Sequence, residues 1–400
     1  MIHGSVPAAL FHAAQGPGSD GRYIMFRRDG SWQRQSQADS VRIARDISCA
    51  LNDAGHVGGD TIGILSKARI EWNIADIGIM AAGMVTIGIY ETSTPAQCAY
   101  ILNHASVANC FVEDTEQAQK ILSVTGNVPT LKHLVVFSNG LPPVPPDAIG
   151  HAGVRISGWD EFTARGERFN AANPGWAQGR LESITPDDTA IIVYTSGTTG
   201  EPKGVVLTHR QMLAVIEATG KALDVGPDDL GMVFLPLAHI LQRTSNYFGR
   251  YHGVNAAYAV QMDKIVENMR EVHPTTFTGV PRIFEKVHTR IMAEVARKNL
   301  RRKAIFNRAM AAGVAHARLK RNKKHIPLVL RLENALFDRL VYRHIRDVFG
   351  GRIRFMCSGG APLSVELIEF FEAAGLIILE GYGLTETAAP CTVNRLDRRK

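Results

Sequence analysis

Short apolar segments alternate with segments of helical periodicity along much of this chain, and that alternation limits its fold more than any other feature. Apolar runs typical of buried strands include residues 61–65, 110–112 and 134–137. Apolar residues recur at helical spacing over residues 36–54 and 95–104. Because parallel strands are joined by crossovers that are usually helical, the sequence predicts βαβ units and an α/β fold with mainly parallel sheets.

The alternation continues in the second half of the chain, where several polar turns directly follow apolar strands. In doubly wound sheets, ligands bind outside the carboxyl ends of the strands. We therefore predict four site loops, which follow Val193, Leu235, Cys357 and Leu379.

The first of these loops has an unusual composition. Residues 194–204 read Tyr-Thr-Ser-Gly-Thr-Thr-Gly-Glu-Pro-Lys-Gly. Glycines bring backbone N–H groups close to an anion, hydroxyl groups add donors, and a lysine adds a point charge suited to phosphate. The alternative is a polar surface turn. The loop is not a Walker A motif, because Pro202 precedes Lys203 and Gly204 follows it.

Composition excludes several classes of protein. The chain has 400 residues, 45% of them hydrophobic, which fits a globular protein of two or three domains. Its five cysteines are odd in number and show no CxxC spacing, so neither a disulfide framework nor a zinc site is expected. The N-terminus does not resemble a signal peptide, and the longest uncharged apolar run, residues 77–90, is too short to span a bilayer. We expect a cytoplasmic protein, at most peripheral to a membrane.

The net charge of +7 comes from one segment. Residues 297–324 contain eleven Lys/Arg and no Asp/Glu, and the remaining chain has 34 Lys/Arg against 38 Asp/Glu. The segment is either a solvated helix face or a surface attracted to a membrane or another polyanion. A nucleic-acid partner is disfavoured, because only Phe306 could stack on bases.

Three further motifs follow the other predicted strands. His239 ends the loop after Leu235, residues 359–362 read Gly-Gly-Ala-Pro, and Thr385-Glu386 follows the last strand. A carboxylate among phosphates would repel them unless it held a divalent cation, so Glu386 is the candidate magnesium ligand. Taken singly, Glu386 could be a surface residue and His239 a structural histidine.

These motifs together resemble a known family. Residues 194–204 with Thr208-His209, and residues 381–387, are similar to the AMP-binding signature of the adenylate-forming acyl-CoA synthetases. Residues 235–239 and 355–363 resemble the long-chain fatty-acid:CoA ligase branch in particular, as do residues 279–282 and the basic insert. The resemblance covers essentially the whole chain.

The resemblance implies the large N-terminal domain of such an enzyme, built as two stacked α/β subdomains near residues 1–188 and 189–400, with a basic helical insert near 282–350. It also implies a two-step reaction. A fatty carboxylate attacks the α-phosphate of ATP to give acyl-adenylate and pyrophosphate, and the thiol of CoA then displaces AMP.

The family's roles transfer to matching positions in this chain. The resemblance implies that Lys203, His239 and Thr385 act in catalysis, and that Glu386 with Thr195 binds Mg²⁺. It implies nucleotide contacts, with Tyr382 against adenine, from Thr195, Ser196, Gly197, Thr198, Thr199, Gly200, Gly359, Gly360, Ala361, Tyr382 and Gly383. ATP, CoA and a fatty acid are the expected substrates.

Two other functions remain open at this point. Residues 234–240 contain no acid that could pair a substrate ammonium, which favours an uncharged acyl group over an amino acid. An amino-acid or aryl-acid adenylating domain, or a nucleotide-binding module without turnover, would nevertheless carry similar loops. The chain ends soon after Glu386, where the family continues into a small mobile domain. We therefore expect a truncated chain with impaired activity.

Overall fold

The computed structural model describes residues 4–16, 18–138, 153–195, 200–259 and 264–398. The strands in these ranges are β1 Tyr23–Arg28, β2 Ser31–Ser36, β3 Thr61–Leu65, β4 Val85–Ile89, β5 Asn109–Val112, β6 His133–Val136, β7 Arg155–Gly158, β8 Thr189–Thr195, β9 Lys203–Thr208, β10 Leu230–Val233, β11 Asn255–Tyr258, β12 Thr276–Gly279, β13 Phe355–Ser358, β14 Ile378–Leu384 and β15 Ala389–Val393.

The helices in the same ranges are α1 Val6–Gln15, α2 Gln37–Asp53, α3 Ile70–Ala81, α4 Pro95–His104, α5 Thr115–Leu122, α6 Trp159–Ala172, α7 Trp176–Glu182, α8 His209–Ala222, α9 Ile240–Tyr251, α10 Ile265–Val272, α11 Pro281–Ala296, α12 Leu300–Arg321, α13 Leu328–Phe337, α14 Arg343–Asp347 and α15 Val365–Ala373. Short 3₁₀ turns occur at Thr125–Asn127 and Thr385–Thr387, and a π-helical turn at Asp338–Tyr342 joins α13 to α14.

The strands form two sheets, and the predicted α/β class is confirmed. One sheet has the order β7-β6-β5-β3-β4-β8-β9 and is parallel except for the β8–β9 hairpin. The other has the order β15-β14-β13-β12-β10-β11-β1-β2 and is antiparallel only at its two edge pairs. We call these the seven-stranded and the eight-stranded sheet. The edge hairpin β1–β2 turns at Asp29-Gly30, as the sequence predicts.

Helices α2 and α3 show why the first half of the chain packs tightly. Ser36 caps α2 by accepting a hydrogen bond from the N–H of Asp39, which satisfies one otherwise unpaired donor of the first turn. Every residue of α3 is buried. A Cβ at Gly78 would lie 2.7 Å from the carbonyl oxygen of Ala44, so only glycine permits this approach of α3 to α2.

One of the apolar clusters contains residues of both sheets. It contains Trp72 of α3, Ile191 of the seven-stranded sheet, Tyr247 of α9 and Phe355 of the eight-stranded sheet, all buried. A buried ion pair crosses the same region, because the guanidinium of Arg243 in α9 donates to the carboxylate of Asp76 in α3. The helices between the sheets therefore hold the two halves together and fix where α9 begins.

The structure adds two features that the sequence pattern does not predict. The last predicted strand ends at Leu379, but β14 continues to Leu384 because it pairs with the antiparallel strand β15. The loop after Val193 joins two antiparallel strands of the seven-stranded sheet, whereas the other three predicted loops leave the eight-stranded sheet. The predicted division near residue 188 remains a prediction, since each sheet takes strands from both sides of it.

His209 connects the start of α8 to the N-terminal helix. Its Nδ1 accepts a hydrogen bond of 3.3 Å from the N–H of Val6, and its side chain is 1% exposed. Burial lowers the pKa of His209 to about 4. Because the unfolded chain binds a proton near pH 6.5 and the folded chain only near pH 4, this histidine reduces stability as the pH falls through that window.

Replacing His209 with Gln is therefore expected to weaken the acid sensitivity of folding. One proton of difference corresponds to about 1.4 kcal/mol per pH unit, so the change in unfolding free energy between pH 7 and pH 5 should shrink by about 2 kcal/mol. Urea denaturation at several pH values measures this. A matched His325→Gln variant, at an exposed position, should keep the wild-type pH dependence. An equal slope in all three proteins would contradict the prediction.

In the described ranges, none of the helices combines the length and the apolar character that crossing a bilayer requires.

Candidate active site

An open cavity of about 450 Å³ lies where three predicted site loops meet the end of β8. Its walls include strand residues of the eight-stranded sheet and the full length of α9. Of the predicted site residues, those that line it are Thr195, His239, Gly359, Gly360, Gly383, Thr385 and Glu386. Residues distant in sequence are thus brought to one cavity by the ends of β8, β10, β13 and β14.

The loop at residues 194–204 begins and ends on paired strands. Thr195 ends β8 and is paired with Lys203, the first residue of β9. The hydroxyl of Tyr194 lies 2.7 Å from Nδ1 of His104, and the hydroxyl of Tyr100 donates to the carbonyl oxygen of Pro202 at 3.1 Å. Helix α4 therefore holds both ends of the loop.

Within this segment, the predicted positions Ser196, Gly197, Thr198 and Thr199 lie outside the described residues. Gly200 has a φ of 143°, a conformation that residues other than glycine rarely adopt. The side chain of Lys203 is exposed. Lys203 lies opposite Thr195 at the base of the hairpin but is not among the residues that line the cavity.

His239 caps the N-terminus of α9 and faces the cavity. Its Nδ1 accepts a hydrogen bond of 3.1 Å from the N–H of Leu241. The ring is exposed at the cavity wall, yet burial by the surrounding protein lowers its pKa below the usual range. The imidazole is therefore neutral at pH 7, and because Nδ1 accepts, the proton is on Nε2. That leaves an N–H donor for an oxygen in the cavity.

The Gly-Gly-Ala turn follows β13 directly. Gly359 donates to the carbonyl oxygen of Gly279 at 3.1 Å, and a Cβ at this position would lie 3.3 Å from Leu241. Gly360 has a φ of 84°, which favours glycine. Both glycines line the cavity, whereas Ala361 is exposed and lies outside its lining. The turn thus presents backbone rather than side chains to the cavity.

Strand β14 alternates between the cavity and solvent. Gly381 and Gly383 line the cavity, while the intervening Tyr382 is 65% exposed and does not line it. A Cβ at Gly383 would lie 2.3 Å from the carbonyl oxygen of Ala389, so this glycine is required for the pairing with β15. The predicted contact between Tyr382 and adenine remains a prediction.

The 3₁₀ turn after β14 presents Thr385 and Glu386. Thr387 closes it, since its hydroxyl accepts from the N–H of Leu384 at 3.0 Å. Ala388 follows with a φ of 59°, in the left-handed region where alanine is uncommon. The hydroxyl of Thr244 in α9 donates to the carbonyl oxygen of Ala388 at 3.0 Å. Helix α9 thus supports the turn that carries the exposed carboxylate of Glu386.

The profile of the AMP-binding enzyme family matches residues 10–400. The chain belongs to the AMP-binding enzymes. The match confirms the resemblance to this family that the motifs at residues 194–204 and 381–387 indicate.

Curated relatives of this AMP-binding enzyme are named long-chain fatty-acid–CoA ligases or long-chain acyl-CoA synthetases. Long-chain-fatty-acid–CoA ligase FadD15 of Mycobacterium tuberculosis is 32% identical over 406 residues, which cover 100% of this chain and 63% of that protein. Peroxisomal long chain acyl-CoA synthetase 6 of Arabidopsis thaliana is 32% identical, covering 92% of this chain and 50% of the relative. Human long-chain-fatty-acid–CoA ligase 1 is 30% identical and covered over 46% of its length. The chain thus spans about half to two thirds of the curated relatives it matches.

Solved structures confirm the fold of the AMP-binding enzyme. The anthranilate CoA ligase AuaEII in complex with anthranoyl-AMP aligns with a TM-score of 0.70 at 18% identity, over 100% of this chain and 64% of that chain. The N-terminal domain of FACL13 from Mycobacterium tuberculosis aligns with a TM-score of 0.68 at 19% identity, over 98% of this chain and 78% of that one. The predicted large N-terminal domain of an adenylate-forming enzyme is therefore confirmed as the fold.

The oxygen ligands of the AMP-binding enzyme fit a magnesium ion bound together with phosphate. Thr195 and Glu386 both line the cavity, so a hydroxyl and a carboxylate are available to a ligand there. Across the part of the chain that the structure describes, no group of three or more His, Cys, Asp or Glu side chains is arranged so that it could hold a metal ion. Since Mg²⁺ is commonly held by one or two carboxylates with substrate phosphates and water, this sparse set suits it.

Two cavity residues of the AMP-binding enzyme were not identified from the sequence. Asn246 and Arg250 lie on α9, line the cavity and are 5% and 2% exposed. The signal was present as two polar side chains four residues apart, a spacing that puts both on one helix face. The prediction of site residues from loops at strand ends did not include them, because both lie within a helix.

Proposed function

We propose that this protein activates a long-chain fatty acid with ATP, forming acyl-adenylate, and transfers the acyl group to CoA. The observation that carries the proposal is one cavity lined by Thr195 at the phosphate hairpin, the neutral imidazole of His239, glycine backbone at two turns and Glu386. The names of the curated relatives support the same chemistry.

In the first step, a carboxylate oxygen of the acid attacks the α-phosphorus of ATP. The bond from that phosphorus to the bridging oxygen breaks, and pyrophosphate leaves with the electron pair. A carboxylate is already nucleophilic at neutral pH, so the site needs no general base. Catalysis then depends on positioning and on charge stabilisation.

The residues divide this work between them. Lys203 and residues 195–200 hold the β- and γ-phosphates, and the Nε2–H of His239 with the hydroxyl of Thr385 donates to oxygens that gain charge at the α-phosphate and the carboxylate. Glu386 and Thr195 would hold Mg²⁺, and the ion would neutralise phosphate charge. The glycine turns at Gly359 and Gly383 contact the nucleotide. In the second step, the CoA thiol sulfur attacks the acyl carbonyl, AMP leaves, and the thiol proton passes to solvent.

The test is acid-dependent ATP–pyrophosphate exchange on this chain, with palmitate and an amino-acid mixture as rival substrates. Exchange with palmitate is the expected result. Exchange only with amino acids or an aryl acid would overturn the fatty-acyl proposal in favour of an amino-acid or aryl-acid adenylating domain. Nucleotide binding without exchange for any acid is the result expected of a binding module without turnover or of a truncated enzyme, and a longer chain that gains exchange would distinguish the second from the first.

We also propose that the helical insert binds an anionic membrane surface. Five large apolar side chains, 51–70% exposed, follow one stripe of α13 and its π-helical extension: Leu328, Val329, Leu332, Leu336 and Leu340. Exposed basic residues flank the stripe, namely Lys323, Lys324, Arg331, Arg339 and Arg343. An apolar stripe bordered by cations suits the boundary between headgroups and acyl chains of an anionic leaflet. The basic segment 297–324 precedes α13 in the same insert and adds eleven Lys/Arg to it.

Replacing Leu332 and Leu336 together with Glu should abolish this contact. The change removes two apolar anchors and adds charge of the wrong sign, so binding to vesicles containing phosphatidylserine should fall at least about tenfold. Co-sedimentation with such vesicles, against neutral phosphatidylcholine vesicles, measures it. Val57→Glu is the control, because Val57 is 64% exposed in a loop outside the insert. Equal sedimentation of the double variant would refute the proposal.

A further inference from the structure

Two buried polar side chains lie in the cavity wall at the far end of α9 from the reaction. Helix α9 starts at the catalytic loop, with His239 as its N-cap. At 1.5 Å per residue, Asn246 and Arg250 lie about 10 Å and 16 Å along the helix from His239. Between the two ends, apolar residues such as Met232, Val233 and Phe248 line the cavity.

Each of these polar side chains keeps a donor without a partner among the described residues. Asn246 uses its Oδ1 to accept from the hydroxyl of Tyr258 at 3.1 Å, but its Nδ2 has no acceptor. Arg250 donates through Nη1 to Oδ1 of Asn73, but its Nη2 has no acceptor. Both unpaired atoms are shielded from solvent. Such groups cost free energy when buried, unless a ligand or water satisfies them.

The charge of Arg250 is also unbalanced within the described part of the chain. No carboxylate there forms an ion pair with it, and the carboxylate of Asp76, one turn along α3 from the Asn73 that Arg250 contacts, is engaged by Arg243 and Tyr247. Burial lowers the pKa of Arg250, which reflects a cation held in an apolar setting. Because buried charges are normally paired, this end of the cavity suits an anion that arrives with the ligand.

We propose that the distal end of the cavity binds the ω-carboxylate of an α,ω-dicarboxylic fatty acid, while the other carboxylate is activated at His239. This inference rests on the proposed function, since it assigns the far end of the same acyl substrate. A guanidinium matches a carboxylate in a forked, bidentate geometry, and the amide N–H of Asn246 adds a second kind of donor on the same helix face. A monocarboxylic acid would leave both donors unsatisfied.

The experiment compares mono- and dicarboxylic acids of equal carbon number, over a series of chain lengths, in ATP–pyrophosphate exchange and in equilibrium binding. Wild type should favour the dicarboxylic acid at least tenfold at one chain length. Arg250→Met, which keeps length and removes the charge, should lose that preference. Arg42→Met, at a half-exposed position of α2 outside the cavity, is the matched control and should keep it.

Asn246→Asp is a second variant that preserves shape. Its new carboxylate can pair with Arg250 one helical turn away and still accept from Tyr258, so the fold should be retained while the distal carboxylate of a substrate is repelled. It keeps the proposal testable even if Arg250→Met fails to fold. We expect it to reverse the preference toward the monocarboxylic acid.

The outcomes separate this inference from the proposed function. Exchange with monocarboxylic acids, with no gain from a second carboxylate and no effect of either variant, would overturn the inference and leave the function standing. If no acid supports exchange, binding decides: dicarboxylic acid bound by wild type and lost in Asn246→Asp would support the distal site without turnover. Equal binding by wild type and variant would refute it.

Discussion

Replacing Glu386 with Gln is expected to lower the rate of adenylate formation about 10²–10³-fold, the cost typical of losing one group that stabilises charge in a transition state. The substitution keeps the size and hydrogen-bonding capacity of the side chain but removes the negative charge that attracts Mg²⁺. Glu386 is exposed on a short 3₁₀ turn closed by Thr387, so the fold should not depend on its charge. The defect should therefore be chemical rather than structural.

Pyrophosphate exchange over a magnesium titration measures this prediction. The variant should need more Mg²⁺ for half-maximal rate and should stay slow at saturation, while its thermal stability matches wild type. Glu366→Gln is the control, because Glu366 is an exposed carboxylate in the first turn of α15, outside the cavity. A Glu386→Gln rate within threefold of wild type would exclude Glu386 as the metal ligand.

Local patterns predicted most elements because each depends on nearby residues. The turn at Asp29-Gly30, the Ser364 cap of α15 and the glycine that ends that helix, Gly375 with a φ of 80°, are all short-range features that the structure contains. The rule that ligands bind at the carboxyl ends of parallel strands predicted which loops meet at the candidate site. Thr195, His239 and Glu386 line one cavity although more than 190 residues separate the first from the last.

Features that depend on long-range pairing could not be predicted in this way. Strand β14 extends to Leu384 because it pairs with β15. Alternation of apolar and polar residues does not reveal this extension, because two of the last four residues, Gly381 and Gly383, are glycines. Asn246 and Arg250 are ordinary polar residues of a helix in the sequence, and only the fold brings them to the cavity. The exposed stripe of α13 has the same helical spacing of apolar residues as a helix that faces the core. This spacing shows that one face of a helix is apolar, but it does not show what covers that face.

The buried ion pair between the two halves leads to the largest predicted effect on stability. Asp76 accepts from Nε of Arg243 at 3.0 Å and also from Nη2 of Arg243 and the hydroxyl of Tyr247. Both charged side chains are completely buried. Asp76→Asn leaves the Arg243 cation without its counter-charge in the interior. We therefore expect a loss of about 3–5 kcal/mol in unfolding free energy, measured by urea denaturation.

An exposed ion pair provides the comparison for this prediction. Asp187 accepts both hydrogen bonds of a bidentate pair with Arg210 at 2.6 Å, but these side chains are half-exposed or more. Geometry alone would rank this pair as the equal of the buried one. Because water screens it and solvates either partner left alone, Asp187→Asn should not shift the urea midpoint measurably. Similar losses of unfolding free energy for Asp76→Asn and Asp187→Asn would contradict the expectation that burial makes the first substitution more costly.

A double variant of Asp76 and Arg243 distinguishes the stability that the ion pair itself contributes from the stability lost when one charge is left without its partner. In the double variant Asp76→Leu with Arg243→Met, neither charge remains, and the apolar side chains can pack against Trp72, over which the guanidinium of Arg243 now lies at 5.1 Å. Replacing a buried pair by apolar groups is often neutral or stabilising, so the double variant should recover most of the stability that Asp76→Asn loses. If it stays as unstable as the single variant, the pair itself, rather than the isolated charge, holds the two sheets together.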